Sequence, residues 1–150
     1  MKNTRSPISI LLVEDDPAHA EIVLRNLTAL DGRVKCIAHL SDGQQALDYL
    51  QREGEHASPE SSPRPDLVLL DLRLPRVDGF EVLRRMKSRD DVSHIPVVVL
   101  TTSEAESDIS AAYRGGASSY LVKPAEYEAY IALMQGFDQY WGELNRFQGA

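Results

Sequence analysis

Short apolar runs alternate with longer segments of mixed polarity along most of this chain. The runs predict strands at about 8–13, 34–38, 67–70, 97–100 and 119–122, because short stretches rich in Val, Ile and Leu are typical of buried strands. Each run is followed by a segment whose apolar residues recur every three or four positions, as they do along one face of a helix. Five successive βα units predict an α/β fold with a parallel sheet.

Turn and cap signals mark the ends of several elements. Asp16 followed by Pro17 predicts the N-cap and first residue of the first helix, whose apolar face extends to Leu30. Segment 54–65 contains three prolines and no apolar periodicity, so it predicts a surface loop rather than a domain boundary. We therefore expect a single domain over 1–150.

The last predicted helix, about 126–147, is longer than one face of the sheet requires and becomes aromatic toward its end. The first half of this helix has two possible packing partners, the sheet of its own chain or another molecule. Large apolar side chains beyond the edge of the sheet have little of their own core to enter, so we expect them to contact a partner or a second copy in a homodimer. These residues are Phe137, Tyr140, Trp141 and Phe147.

Composition narrows the class of partner and the compartment. The formal net charge of −7 and the pI of about 5.0 argue against binding to nucleic acid, because a phosphate backbone would be repelled. Cys36 is the single cysteine, so no internal disulfide can form and a reducing compartment is expected. The sequence shows no apolar signal segment and no run of the ~20 apolar residues that span a membrane. We expect a cytoplasmic protein that binds no membrane.

Polar residues of different chemistry follow four of the predicted strands. Glu14 and Asp15 follow the first strand, and Asp71 follows the third. Thr101 and Lys123 lie at the ends of the fourth and fifth strands. Since the carboxyl ends of parallel strands form the ligand-binding edge of an open sheet, these side chains should converge on one pocket.

Three carboxylates in one pocket require a compensating positive charge. Each close pair repels by ~4 kcal/mol at an effective dielectric constant of 20, and Mg²⁺ held by carboxylates, waters and phosphate oxygens is a suitable partner. Glu14 and Asp15 are adjacent and suit the metal, whereas Asp71 stands alone and is the candidate nucleophile toward a phosphoryl group. Lys123 would neutralise phosphoryl charge, and the Thr101 hydroxyl would donate to a phosphoryl oxygen.

The same motifs resemble the receiver domain of two-component response regulators over about 8–137. ILLVEDDP is similar to the strand with the acidic pair, and LVLLDLRLPRVDGFEVL is similar to the phosphoacceptor strand and its loop. VVVLTTS and GGASSYLVKP match the positions of the switch residues, Thr101 and Tyr120, and of Lys123. The resemblance implies a flavodoxin-like, doubly wound sheet of five parallel strands in the order 2-1-3-4-5.

The resemblance also implies a function and a set of ligands. Asp71 would accept a phosphoryl group from a histidine kinase, with Mg²⁺ bound by the three carboxylates and by the main-chain carbonyl of Arg73. Such a chain is not an enzyme acting on other molecules; it is a phosphoacceptor that assists its own phosphorylation and dephosphorylation. A cis peptide bond is implied between Lys123 and Pro124.

Some features resemble, in particular, the small regulators paired with bacterial phytochromes. They are IPVVVLTTS, the long loop before PDLVLL, and the terminal helix with Tyr140 and Trp141. A light-sensing kinase would then be the partner. Glu14, where the family pattern has Asp, is a departure that leaves metal binding intact. Arg73 and Ser103 lack the groups that position water for dephosphorylation in some members, which argues against fast self-hydrolysis.

Two other functions are compatible with parts of the pattern. A structural adaptor with a vestigial phosphorylation site would bind its partner regardless of phosphate. An aspartyl-phosphate phosphatase of the haloacid dehalogenase type would carry D-x-D after the first strand, whereas Asp71 is followed by Leu72 and Arg73 in the third unit. Residues 124–150 suffice for one helix and a tail, so we expect output through contacts with an unidentified protein rather than through DNA.

Overall fold

Five parallel strands form one sheet in the computed structural model of the chain, which describes residues 6–28 and 32–148. The strands are β1 (Ile8–Val13), β2 (Val34–Leu40), β3 (Leu67–Leu70), β4 (Val97–Thr101) and β5 (Ser119–Val122). Their order is β2-β1-β3-β4-β5, and every neighbouring pair is parallel. The predicted topology is confirmed, and β2 is two residues longer at its end than its apolar run suggested.

Helices follow each strand, as the alternating pattern predicted. They are α1 (Pro17–Thr28), α2 (Gly43–Gln51), α3 (Gly79–Lys87), α4 (Glu106–Arg114) and α5 (Tyr127–Gln139). A short 3₁₀ turn covers Gly54–His56 within the predicted surface loop. Leu30, expected on the apolar face of the first helix, lies outside the described residues. No helix in the described part of the chain is long and apolar enough to cross a membrane.

The sheet is covered on both faces, and alternation along β1 shows which side chains face which helices. Leu11 and Val13 lie in the cluster that packs under α2, α3 and α4. Ile10 and Leu12 point the other way, toward α1 and α5. Successive residues within a strand face opposite layers of helices. Residues that follow the last position of β1 and β3 are beyond both layers, so their side chains can enter the pocket at the carboxyl end of the sheet.

The loop between β3 and α3, residues 72–78, is termed the acceptor loop. It is packed tightly against α2, because a Cβ atom on Gly43 would overlap the carbonyl oxygen of Val77. The backbone N–H of Gly43 also donates to the carbonyl of Pro75 at 3.2 Å. The N–H of Gly79 donates to the carbonyl of Leu72 at 2.9 Å and so joins the two ends of the loop. Main-chain contacts therefore hold the loop against α2 and connect its ends to each other.

The C-terminal segment differs from the prediction of one helix over 126–147. The α-helix ends at Gln139, and a π-helical turn continues to Leu144. Phe137 is only 4% exposed and packs in the core of its own chain, which leaves little of its side chain for the predicted interface. Trp141 and Phe147 are half-buried and their rings lie 5.9 Å apart.

The reason for this burial is that the last turn reaches back over the beginning of β2. Gly142 lies against Arg33 and Val34, and Arg33 pairs with Asp138 at 3.5 Å. The rings thereby gain a surface of their own chain, which the sequence did not reveal. Tyr140, at 51% exposure, is the one largely exposed member of the four aromatic residues expected at an interface.

Candidate functional site

Three carboxylates meet at the carboxyl end of the sheet, as the strand-end pattern predicted. Glu14 and Asp71 directly follow β1 and β3, which are neighbours paired through Val13 and Leu70. One oxygen from each of Glu14, Asp15 and Asp71 lies within 4.8 Å of the others, close enough to share a metal ion. Glu14 and Asp71 are 2% and 7% exposed, whereas Asp15 is exposed and leaves the pocket open to solvent.

Lys123 is buried beside these acids and its chain position is fixed by the sheet. Its backbone N–H donates to the carbonyl of Thr101 at 2.7 Å, at the end of the ladder between β4 and β5. The Nζ atom donates to Asp71 Oδ2 at 2.8 Å and also to Glu14 Oε1. Burial acts to lower the pKa of Lys123, but the bonds to Asp71 and Glu14 outweigh it and raise the pKa, so the ammonium stays charged.

Burial in the pocket changes the pKa of Glu14. Burial raises the pKa of Glu14 to about 7 from its usual 4.5, although the hydrogen bond and charge of Lys123 act to lower it. The nearby Asp71 carboxylate adds to the increase, and the backbone N–H of Asp16 opposes it. Three carboxylates and one ammonium carry a formal charge of −2 when all are ionised. A divalent cation matches that charge, so the residues present fit such an ion.

Asp16 follows the acidic pair in sequence and is not a member of the cluster of three carboxylates. Its Oδ1 accepts the N–H groups of Ala18 and His19 at 2.9 and 3.3 Å, which caps the first turn of α1. These bonds, with that to His19 first, lower the pKa of Asp16. Asp16 is therefore the helix cap that its position before Pro17 predicted.

The two expected switch residues lie on neighbouring strands, Thr101 at the end of β4 and Tyr120 in β5. Thr101 is fully buried, and its hydroxyl oxygen has no hydrogen-bond partner among the described residues. A buried polar group left without a partner costs about 1–3 kcal/mol, so the hydroxyl is available to an incoming oxygen. Tyr120 is half-buried, and its hydroxyl donates to the carbonyl of Ser103 at 3.0 Å.

Arg73 links the acceptor loop to α4. Its backbone N–H lies 3.3 Å from Asp71 Oδ1, which keeps its main chain at the site. Its guanidinium donates to Asp108 Oδ2 at 2.8 Å, and the Ser103 hydroxyl donates to the same oxygen at 2.6 Å. Asp108 thus joins two loops that flank the pocket, a connection that no sequence motif indicated.

His19 is the other site residue that the sequence did not reveal. Its Nδ1 atom lies 3.0 Å from Lys123 Nζ, and its ring packs 6.0 Å from that of Tyr130. A single histidine in the first turn of an amphipathic helix has no distinctive pattern. The only available signal was its position three residues after the capping Asp16, on the turn nearest the acids.

One implied feature is not found. The peptide bond between Lys123 and Pro124 is trans, as are the other described peptide bonds. The cis form was an implication of the family resemblance alone, and the trans form is favoured for most Xaa-Pro bonds.

Comparison with known proteins decides the family. The model of the response regulator receiver domain matches residues 10–135. The chain belongs to this family. The receiver is 44% identical to the probable methanogenesis regulatory protein FilR2 of Methanothrix harundinacea, over 95% of this chain and 89% of that protein. It is 42% identical to response regulator Rcp1 of Synechocystis sp., over 91% of this chain and 90% of Rcp1.

Solved structures agree with this assignment. The Mn²⁺-bound form of Rcp1 is 40% identical, with a TM-score of 0.85 over 95% of this chain and 100% of that chain. The phosphorylated cyanobacterial phytochrome response regulator RcpA is 35% identical, with a TM-score of 0.87 over 95% of this chain and 99% of that chain. Both confirm the flavodoxin-like receiver fold. As a receiver, the protein is a phosphoacceptor of a two-component system, whose members bind a divalent metal ion and work with histidine kinases.

Proposed function

We propose that Asp71 accepts a phosphoryl group from a histidine kinase in the presence of Mg²⁺, and that the receiver then signals through protein contacts. The observation that carries this assignment is the bond of 2.8 Å between Asp71 Oδ2 and the buried Lys123 ammonium, within ligand distance of Glu14 and Asp15. The acceptor carboxylate is therefore adjacent both to a fixed cation and to a candidate cation site.

Asp71 suits the nucleophile better than either neighbouring acid. Glu14 is protonated over part of the neutral range, because its pKa is raised to about 7. Asp15 is exposed and lies farther from the Lys123 ammonium than Glu14 and Asp71, which both pair with it. An Asp71 oxygen would form the new bond to phosphorus while the bond from phosphorus to the kinase imidazole breaks, and the leaving imidazole regains a proton from solvent.

Each remaining residue has a defined part in this transfer. Mg²⁺ held by the three carboxylates and by the Arg73 carbonyl would neutralise charge on the phosphoryl oxygens when bound. Lys123 supplies a second positive charge through its bond to Asp71 Oδ2. The unpartnered Thr101 hydroxyl donates to a phosphoryl oxygen, which satisfies a group that is otherwise buried without a bond.

The switch follows from the connections of Thr101 to its neighbours. Movement of Thr101 toward the phosphoryl group shifts Ser103, which lies two residues along the chain. Ser103 accepts a hydrogen bond from the Tyr120 hydroxyl and donates one to Asp108. Tyr120 and the first turns of α4 then change position together. Differential contacts worth a few kcal/mol are sufficient to shift such a two-state population.

A phytochrome-type light-sensing kinase is proposed as the partner. The support is that RcpA, at 35% identity and with a TM-score of 0.87, is a phytochrome response regulator. FilR2 has a higher identity, 44%, and a name that refers to methanogenesis, so a comparison of different kinases is the test of this pairing. Phosphotransfer from purified phytochrome kinases and from other histidine kinases of the same genome would rank the partners by rate. A phytochrome kinase that transfers no faster than the others would contradict the pairing.

We also propose a cytoplasmic location, a single receiver domain as the functional unit, and a homodimer whose contact includes Tyr140. A groove of about 480 Å³ between β5 and α5 is lined by residues that include Leu121, Leu133 and Tyr140. Its apolar lining next to an exposed tyrosine supports contact with a second copy through a two-fold arrangement. Phe137 and Trp141 also line this groove, although Phe137 is only 4% exposed.

The phosphoacceptor assignment is tested by incubating the purified receiver with acetyl phosphate and Mg²⁺ and measuring its intact mass. One phosphoryl group should be added, and Asp71→Asn should abolish the addition while Asp66→Asn, a matched exposed aspartate, should not. Full labelling of Asp71→Asn would refute the assignment. A wild-type protein that is never labelled but still binds its partner would favour the structural adaptor instead.

A further inference from the structure

We propose that His19 restrains Lys123 in the unphosphorylated receiver and is the acceptor that the phosphoryl group displaces. This inference rests on the proposed phosphorylation of Asp71. It makes His19 a positioning residue that acts through Lys123 and opposes phosphorylation. The starting observation is the 3.0 Å contact between His19 Nδ1 and Lys123 Nζ at the edge of the pocket.

The hydrogen-bonding capacity of Lys123 is completely used before any phosphoryl group arrives. An ammonium group has three N–H donors and no acceptor. The three acceptors are Asp71 Oδ2, Glu14 Oε1 and His19 Nδ1. Because Lys123 can only donate, Nδ1 of His19 accepts and is unprotonated, and the proton of the neutral ring is on Nε2. A phosphoryl oxygen can receive a bond from Lys123 only if one of these acceptors is released.

His19 is the acceptor that is released most easily. Each carboxylate meets the Lys123 ammonium with a full negative charge, whereas the imidazole accepts from the same ammonium as a neutral group, so the bond to His19 is the weakest of the three. A carboxylate also offers about four lone-pair sites, so Glu14 and Asp71 can contact Lys123 and a cation together. The imidazole offers a single lone pair at Nδ1 and cannot share it.

The surroundings of His19 allow this exchange without disturbing the core. Its backbone N–H is held by the Asp16 cap, so the start of α1 stays in place when the side chain turns. The side chain is 30% exposed and borders a cavity of about 590 Å³, which is also lined by Thr102 and Pro124. The ring can move into this space while Lys123 turns toward Asp71.

The proposal predicts an effect opposite to that of most substitutions at a binding site. The bond from Lys123 to His19 exists only in the unphosphorylated state, so its removal raises the free energy of that state alone. Loss of a bond worth ~1 kcal/mol would strengthen binding of a phosphoryl mimic about fivefold. A purely structural role in packing α1 would instead weaken the binding or leave it unchanged.

The test uses the full chain with Mg²⁺ and beryllofluoride, which binds to carboxylates as a phosphoryl mimic. His19→Leu removes the acceptor and should bind beryllofluoride about fivefold more tightly than the wild type. His19→Asn offers an amide oxygen near the position of Nδ1 and should restore the wild-type affinity. His94→Leu is the matched control at an exposed histidine and should leave the affinity unchanged.

A second readout reports on the contact itself. In ¹⁵N spectra of the wild type, the Nδ1 resonance of His19 should move downfield, toward a nitrogen without a hydrogen bond, when beryllofluoride binds. Equal or weaker affinity in His19→Leu, or an unchanged Nδ1 resonance, would overturn the role of His19 alone. A wild type that binds no beryllofluoride, or an Asp71→Asn variant that binds it equally well, would overturn the phosphoacceptor function as well.

Discussion

Replacing Glu14 with glutamine removes a carboxyl group that titrates near neutral pH in the folded protein, so the pH dependence of stability should change in a defined window. The pKa of Glu14 is about 7 in the folded chain and 4.5 as the reference for the unfolded chain. Between these values the folded state binds more protons than the unfolded state. The free energy of unfolding of the metal-free protein therefore falls as the pH rises from 4.5 to about 7.

The size of this effect follows from the width of the window. Each pH unit across it corresponds to 1.36 kcal/mol, so the complete loss is about 3 kcal/mol. Glutamine stays neutral, and the Glu14→Gln variant should keep the stability that the wild type loses. The free energy of unfolding of Glu14→Gln, relative to that of the wild type, should be lowest at pH 4.5. It should increase with pH by about 3 kcal/mol in total and level off above pH 7.

Urea unfolding in a chelator, at constant ionic strength and at intervals from pH 4.5 to 8, would measure this difference. Glu21→Gln, an exposed glutamate on α1, is the control and should follow the wild type at every pH. Mg²⁺ should stabilise the wild type more at pH 8 than at pH 5.5, because at the lower pH the metal must displace a proton. A difference between wild type and Glu14→Gln that does not vary with pH would refute the reasoning.

Three further predictions concern the metal site, the switch and self-association. Asp15→Ala should weaken Mg²⁺ binding at least tenfold and Asp16→Ala less than twofold in a metal titration; equal losses would contradict the assigned roles. Thr101→Ala should still be phosphorylated, but the NMR signals of Tyr120 should then shift little on phosphorylation; a wild-type response would argue against the coupling. Tyr140→Ser should weaken a homodimer measured by sedimentation, and a wild type that is monomeric at tens of micromolar would exclude the dimer.

Most of the fold and pocket could be predicted because local patterns determine them. The apolar runs before Glu14, Asp71 and Thr101 each identify a buried strand, and parallel pairing brings the following residues to one edge. The chemistry of each side chain then indicated its role. The acids suit a metal ion and a nucleophile, and the hydroxyl and the amine suit the phosphoryl oxygens. The cap formed by Asp16 was predicted from its neighbour Pro17 in the same way.

The features that the sequence did not reveal depend on contacts between distant segments. Phe137 has the spacing of an amphipathic helix whether it packs on its own sheet or on a partner, and its place in the core is set by residues of distant segments. The contact of His19 with Lys123 joins residues 104 positions apart. The bond between Arg73 and Asp108 spans 35 positions, and no sequence pattern links the two side chains.

The tight contact between Gly43 and the acceptor loop determines in which direction the loop can move. Toward α2 the loop is fastened by main-chain atoms, with no space for even a methyl group and with the bond from Gly43 to Pro75. Toward α4 it is fastened by the side chain of Arg73, which is 66% exposed. We therefore expect phosphorylation of Asp71 to displace the acceptor loop toward α4, where only one surface ion pair has to break. The start of α2 should keep its position. Hydrogen exchange in the phosphorylated protein should accelerate in α4 and stay slow at the start of α2.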